Sequence, residues 1–287
     1  MKIIKAKNTT QIIQLNSTYT SSFQGQGAPT ITPQFIGQQY IDKTSGGIYT
    51  AVGTDGYWNW GFTGMGLFSS FNKNTIAGLI SWYKADDGPS PTTEGTNITS
   101  WLDSSDTANT LTGVSGTRAY TSNVQNGLAG IRFVANSYIL GSNLTDVTQP
   151  GTIFLVFKGT DWATGGYQCI FSAGSGSWEI YKNTGNTNGM IASGTNLVGS
   201  AVVNNTTSMI TGIFNGGSSS IKINNNSTTV GNAGTGVNVM RPLIGTDASG
   251  AAGFTGYVFE VLVYTGALTT TNQDIVRTYL NNKWGIY

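Results

Sequence analysis

The sequence predicts a mostly β protein: a two-sheet jelly-roll sandwich with a short C-terminal helix, preceded by an extended N-terminal anchor and a small β-hairpin module. Three observations carry this reading. Short apolar segments recur between Leu79 and Tyr264 with turn dipeptides among them, the spacing of an all-β domain. One of them, Ile153-Phe154-Leu155-Val156-Phe157, is apolar at every position, as a central strand covered on both faces must be. A helical apolar period occurs only near the end of the chain.

The strand candidates begin with Leu79 to Tyr83, Ile98 to Leu102, Gly130 to Val134, Thr152 to Lys158, Gln168 to Ser172 and Ser177 to Lys182. They continue with Leu197 to Val203, Ser208 to Asn215, Ser220 to Asn224 and Gly256 to Tyr264. Asp87-Gly88, Asn126-Gly127, Asn188-Gly189 and Asn215-Gly216 supply the positive φ that tight turns require. Gly266 breaks the last strand. Thr271, followed three residues later by Asp274, then offers a capping box, and Ile275, Val276, Tyr279 and Leu280 share one helical face.

Ahead of this domain the composition changes. Residues 1–34 are polar with scattered isoleucines and a Gly-, Ser- and Thr-rich stretch, too little apolar mass for a core, so an anchoring or assembly segment that orders on a partner is expected. In residues 35–72, Tyr40-Ile41 and Ile48-Tyr49 flank SGG, and TDG precedes Tyr57, Trp58 and Trp60, the pattern of a hairpin followed by a linker. The sandwich occupies 73–287. The stretch PQFIGQQYIDKTSGGIYTAVGTDGYWNW resembles a short module of bacteriophage tail-fibre and virion appendage proteins.

A second resemblance covers the sandwich. GLISWYKADDG, ITSWLDSSDTANTLTG, NGLAGIRF, GTIFLVFKG and the closing FTGYVFEVLVYTGALTTTNQDIVRTYLNNKWGI together resemble the laminin-G-like branch of the concanavalin A-like lectin/glucanase superfamily. That resemblance implies framework strands for these segments, a terminal helix packed beside the sandwich, and Trp82 and Trp101 as core anchors. The chain departs from the family pattern where SSDTANT follows the Trp-x-Asp of ITSWLDS.

Composition excludes several kinds of chemistry. The 287 residues include no histidine, so neither a Ser-His-Asp or Cys-His nucleophile nor a His-ligated zinc can be built. Cys169 is the only cysteine, which rules out an intramolecular disulfide, and its apolar neighbours mark it as a small buried residue. A formal charge of +1 gives no field to draw nucleic acid, and no apolar run reaches membrane-spanning length, so neither nucleic acid nor membrane is expected as a partner. Charged residues make up only 9%, leaving a surface of Ser, Thr, Asn, Gln and Gly. The opening MKIIKAKNTTQIIQ lacks the apolar core of a secretory signal, so a protein assembled into a virion in host cytoplasm and exposed after lysis is expected.

Three site chemistries remain. Hydrolysis of a glycosidic bond needs two positioned carboxyls. The only glutamates, Glu94, Glu179 and Glu260, have no laminarinase-type Glu-x-Asp-x-x-Glu spacing, and Glu260 lies mid-strand where the resemblance implies a framework acid, so no catalytic residues and no enzyme are expected. Calcium would need clustered oxygens, for which Asp86-Asp87 and Asp103 with Asp106 are the local candidates; turn formation by their side chains is the plainer reading. Glycan binding needs aromatic platforms beside amide and hydroxyl groups. The loops DWATGGYQ and GSGSWEIY offer these, with Trp162, Tyr167 and Trp178 as candidates that could equally be rim or core aromatics.

The resulting expectation is a structural virion protein of a tailed bacteriophage, a capsid (head) fibre or tail fibre. It would be anchored to capsid or tail proteins by its N-terminal segment, assembled as a homo-oligomer with a trimer favoured, and turned toward cell-surface or mucus polysaccharide. A bacterial extracellular adhesin or carbohydrate-binding module, and a purely architectural capsid decoration protein, are the alternatives.

Overall fold

The computed structural model describes all residues except 1–2, 6–11, 15–21, 26–28, 43–46, 57–59, 66–70, 72, 145–146, 162–165, 175–177, 184 and 237–240. The chain divides into two units, Met1–Ser70 and Phe71–Tyr287. In the first, β1 (Ile3–Lys5) and β2 (Ile12–Gln14) form an antiparallel pair, and β3 (Ser22–Gly25) runs parallel to β4 (Gln39–Asp42). β4, β5 (Gly47–Ala51) and β6 (Trp60–Met65) then form an antiparallel meander. Tyr40 lies opposite Tyr49, edge to face at 6.3 Å, so the runs flanking SGG pair as their spacing predicts. Ser45 and Gly46 of that turn, with Tyr57 and Trp58, lie outside the described residues.

The second unit opens with β7 (Leu79–Lys84), β8 (Pro89–Ser90), β9 (Ser100–Trp101), β10 (Gly113–Ser115), β11 (Arg118–Gln125), β12 (Leu128–Phe133) and β13 (Tyr138–Leu140). Its middle holds β14 (Gly151–Gly159), β15 (Gln168–Ser172), β16 (Trp178–Lys182), β17 (Thr187–Ala192), β18 (Asn196–Ala201) and β19 (Ser208–Phe214). β20 (Ser219–Ile223), β21 (Thr229–Gly231), β22 (Leu243–Ile244), β23 (Gly256–Thr265) and the helix α1 (Thr270–Trp284) complete it. A seven-stranded sheet runs β10-β13-β22-β15-β16-β17-β18, and an eight-stranded one runs β11-β12-β23-β14-β19-β20-β21 with β7 alongside β23. The ladders within both are antiparallel, and the sheets stack as a sandwich.

The apolar run in β14 explains the layering. Ile153, Leu155 and Phe157 point into the core between the sheets, while Phe154 and Val156 enter a second core on the far side of the eight-stranded sheet. That second core is roofed by Val276, Leu280 and Trp284 of α1. Each such side chain contributes roughly 1.5–3 kcal/mol when fully buried. Trp101 belongs to the inner core and Trp82 to the helix-side core, so both are anchors, one on each side of a sheet.

β23 is two-faced in the same way, with one irregularity. Val156 pairs with Glu260 but Phe157 pairs with Val258, so Phe259 is an extra residue at a β-bulge. The bulge lets Phe259 and Glu260 both serve the helix side, while Val258 and Val261 stay in the inner core. Glu260 is fully buried, and its Oε1 accepts from Trp82 Nε1 at 2.6 Å and the Tyr279 hydroxyl at 2.7 Å. Its Oε2 accepts from Trp284 Nε1 at 2.8 Å and Lys283 Nζ at 2.9 Å. Lys283 also reaches Asp86 at 2.8 Å. Arg277, buried on the same helix, donates to Thr211 Oγ1 at 2.9 Å and to the Asn224 carbonyl.

Several sequence expectations change. The helix cap is Thr269, whose Oγ1 accepts from the Asn272 amide at 3.3 Å, so the helix begins before Thr271. Ile275 is 41% exposed, and the buried stripe instead runs through Val276, Arg277, Leu280 and Trp284. Ile98 to Leu102 shrinks to the two residues of β9, with Leu102 in solvent. Asn188-Gly189 is no turn but lies inside β17.

Replacing Glu260 with Ala strands four donors in an apolar layer and is expected to cost about 3–5 kcal/mol, read as a lower urea midpoint. Glu260→Gln keeps one acceptor oxygen and loses less. Burial alone would lower the Lys283 ammonium, but Glu260 and Asp86 outweigh it and raise that group above its ordinary 10.5. Its contribution is therefore complete below pH 10.5 and is lost as pH climbs through the raised folded-state value. Lys283→Met flattens that alkaline loss in a pH series of unfolding midpoints.

Candidate functional site

The outer side of the seven-stranded sheet carries the most distinctive polar and aromatic arrangement. Alternation along β16 produces it: Trp178 and Ile180 enter the inner core, which turns Glu179 and Tyr181 the other way. Tyr181 packs with Cys169 of β15, Ala252 and Ile191 of β17 in a small cluster separate from the inner core. Gly189 lies directly opposite Tyr181, and a Cβ there would fall 2.5 Å from both Cζ and the hydroxyl oxygen. That close approach is why a glycine is needed within β17.

Tyr167, immediately before β15, covers this floor. Its ring lies 4.5 Å from that of Tyr181, tilted by 33°, and its hydroxyl donates to Glu179 Oε2 in a short hydrogen bond. It remains 38% exposed, and the carboxylate fixes its direction. Glu179 Oε1 accepts no hydrogen bond among the described residues. Tyr181 is 1% exposed, and its hydroxyl has no partner among the described residues. An unpaired buried hydroxyl costs roughly 1–3 kcal/mol.

Gly166 and Gln168, on either side of Tyr167, are both held by hydrogen bonds. Lys182 Nζ donates to the Gly166 carbonyl at 3.1 Å, and Gln168 Nε2 donates to the Asp161 carbonyl at 3.3 Å. On the other side, Asp247 accepts from the amides of Ala251 and Ala252 at 3.0 and 3.2 Å and from Ser249 Oγ at 2.7 Å. The Ala252 carbonyl in turn accepts from the Cys169 amide at 2.8 Å, which ties this turn to β15.

Charge states follow from these surroundings. Burial raises the Glu179 carboxyl above its ordinary value; the Tyr167 hydroxyl opposes this, and the Asp247 charge adds to it. Burial, then the nearby Glu179 and Cys169, push Tyr181 up to about 12, so it is a protonated donor at neutral pH. Asp247 would be raised by its own burial, but hydrogen bonds from Ser249, Ala252, Ala251 and Thr246 bring it below the usual carboxylate value. The Cys169 thiol is held well up, chiefly by burial, and donates to the Phe171 carbonyl at 3.2 Å, as an inert core residue does.

Of the three aromatic candidates, Tyr167 is partly exposed, beside Tyr181 and Glu179. Trp178 is corrected: it is 1% exposed and stacked on Phe214 at 4.9 Å, above Gly151, because its strand position points inward. Trp162 lies outside the described residues. Tyr181 and the role of Glu179 escape the sequence reading, because Asn188-Gly189 looks like a turn and hides the strand that supports them.

The calcium candidates are engaged otherwise. Asp103 accepts from the amides of Trp82, Ser105 and Asn109 at 2.8, 2.8 and 3.0 Å and from Thr107 Oγ1 at 2.9 Å. Asp106 pairs with Lys73, Asp87 with Lys84 and Asp86 with Lys283. Among the described residues no three His, Cys, Asp or Glu side chains gather as a metal site.

No protein-family model matches the chain, and no curated protein sequence does. Solved structures match its fold. Domain 4 of AbnA, a GH43 extracellular arabinanase from Geobacillus stearothermophilus, solved with arabinotriose, aligns over 70% of this chain and 98% of its own at 18% identity and TM-score 0.51. The binding domain of Paraclostridial Mosquitocidal Protein 1 aligns over 71% of this chain and 53% of its own at 15% identity and TM-score 0.51. The receptor binding domain of botulinum neurotoxin mosaic serotype C/D aligns over 70% of this chain and 50% of its own at 11% identity and TM-score 0.50. The chain thus spans nearly all of the first and about half of the other two, and at these identities the likeness is one of β-sandwich fold.

Proposed function

We propose that the second unit is a carbohydrate-binding sandwich of the concanavalin A-like kind, and that its site is the outer face formed by Tyr167, Glu179 and Tyr181. The observation that carries this is a partly exposed tyrosine, packed on Tyr181 and held in place by a carboxylate whose second oxygen accepts no hydrogen bond among the described residues. A sugar ring stacks on aromatic faces through its C–H groups and uses its hydroxyls on such acceptors and donors. The arabinanase domain solved with arabinotriose, and the toxin binding domains, are consistent with a binding role for this fold.

The reading is non-enzymatic. A glycosidase needs a second carboxyl free to act as nucleophile or base. Asp247, the carboxylate that acts on Glu179, is engaged by backbone amides and Ser249, Glu260 is walled into the helix-side core, and Glu94 accepts from the Ser122 amide at the surface. In its biological setting the chain is proposed to be a capsid (head) or tail fibre of a tailed bacteriophage. The first unit would join it to the particle as an oligomer, a trimer by preference, and the sandwich would meet cell-surface or mucus polysaccharide. The low charge and the fibre-like stretch around Tyr40 and Tyr49 support that setting. On a particle, repetition turns weak contacts into avidity.

Binding of the full-length chain to immobilised glycans and soluble polysaccharides tests the site. Tyr167→Ala is expected to weaken binding about tenfold while the melting temperature changes little, since the ring is partly exposed. Gly189→Ala, which displaces Tyr181, is expected to lose binding and about 1–3 kcal/mol of stability together. Unchanged affinity in both variants would move the site elsewhere, and steady reducing-sugar release from a bound glycan would contradict the non-enzymatic reading.

A further inference from the structure

Resting on that reading of the site, we infer that the face around Tyr167 selects neutral saccharides and rejects acidic ones such as uronates, sialates and sulfated glycans. The argument is one of charge and hydrogen-bond sense. Glu179 holds the Tyr167 hydroxyl, and Asp247 accepts from the amide of Ala252, which packs with Tyr181 and Cys169, so both carboxylates border that face. Strands β15, β16 and β17 contribute one cation, Lys182, and its ammonium is committed to the Gly166 carbonyl at the base of the loop. An incoming carboxylate or sulfate would therefore face like charge with no second cation on these three strands to offset it, a juxtaposition that discriminates strongly.

A neutral sugar meets no such penalty. Glu179 Oε1, without a donor among the described residues, requires a hydrogen on its partner, which a sugar hydroxyl supplies and a carboxylate does not. Asp247 cannot relax the selectivity by taking up a proton, because its hydrogen bonds favour the charged form.

The test uses the full-length chain on an array carrying neutral, uronate-containing, sialylated and sulfated glycans. It is followed by titrations with polygalacturonate and with its carboxyl-reduced, neutral product. Binding confined to neutral glycans, with any acidic counterpart about tenfold or more weaker at low salt, is the expected result. Raising the salt should strengthen the residual acidic binding and leave neutral binding unchanged. Glu179→Gln should narrow the neutral-to-acidic gap to about threefold or less. If that variant does not fold, the salt series on the unaltered protein decides alone. Tight acidic-glycan binding that Tyr167→Ala abolishes would overturn this inference and leave the carbohydrate-binding reading standing. Silence across the whole array would overturn both.

Discussion

The Glu260 carboxylate, buried in the bulge of β23, is the interaction on which the helix-side half of the structure depends. It gathers Trp82 from β7 and Tyr279, Lys283 and Trp284 from α1 onto one pair of oxygens. A charge in that position is tolerated only because every direction around it is filled by a donor. The bulge is the geometric condition for this. In an unbulged strand Val258 and Glu260, two residues apart, would share one side; the bulge lets Val258 enter the inner core while Glu260 faces the helix. β14 and β23 are thereby covered on both faces, and the eight-stranded sheet becomes a middle layer.

That arrangement leaves the seven-stranded sheet as the layer with an outer side not roofed by a helix. The same alternation that sends Trp178 and Ile180 inward presents Glu179 and Tyr181 outward, so core packing and site geometry are set by one strand. Gly189 accommodates the Tyr181 ring, Tyr167 lies over it, and the Lys182 contact with Gly166 fastens the loop that carries Tyr167. Tyr181 and Glu179 sit on paired strands and Tyr167 is tied to Glu179, so the proposed site would lose little freedom on holding a saccharide.

Much of this architecture was legible in the residues. The uniformly apolar run in β14 implied a strand covered on both sides, and the terminal helix announced itself by period. What local pattern could not reveal was anything decided across strands. β11 is a polar strand recognisable only by its partner β12, and Asn188-Gly189 has turn chemistry yet is held extended by pairing with β16 and β18. The helix begins earlier than its capping-box pattern suggests because Thr269, in extended backbone, already serves the Asn272 amide. The site was half legible for the same reason. Tyr167 read correctly as an exposed aromatic in a loop, but whether Trp178 faces solvent or core depends on strand parity, which its sequence neighbours leave open.

The central claim is that saccharides bind on the outer face of the seven-stranded sheet. Hydrogen–deuterium exchange of the full-length chain, with and without a saturating neutral glycan chosen from the array, tests it most directly. The account predicts slowed exchange confined to peptides covering residues 161–168, 178–192 and 246–252. Protection mapping instead to the first unit, to the Asp103–Asn109 loop or to the helix-side layer would contradict it.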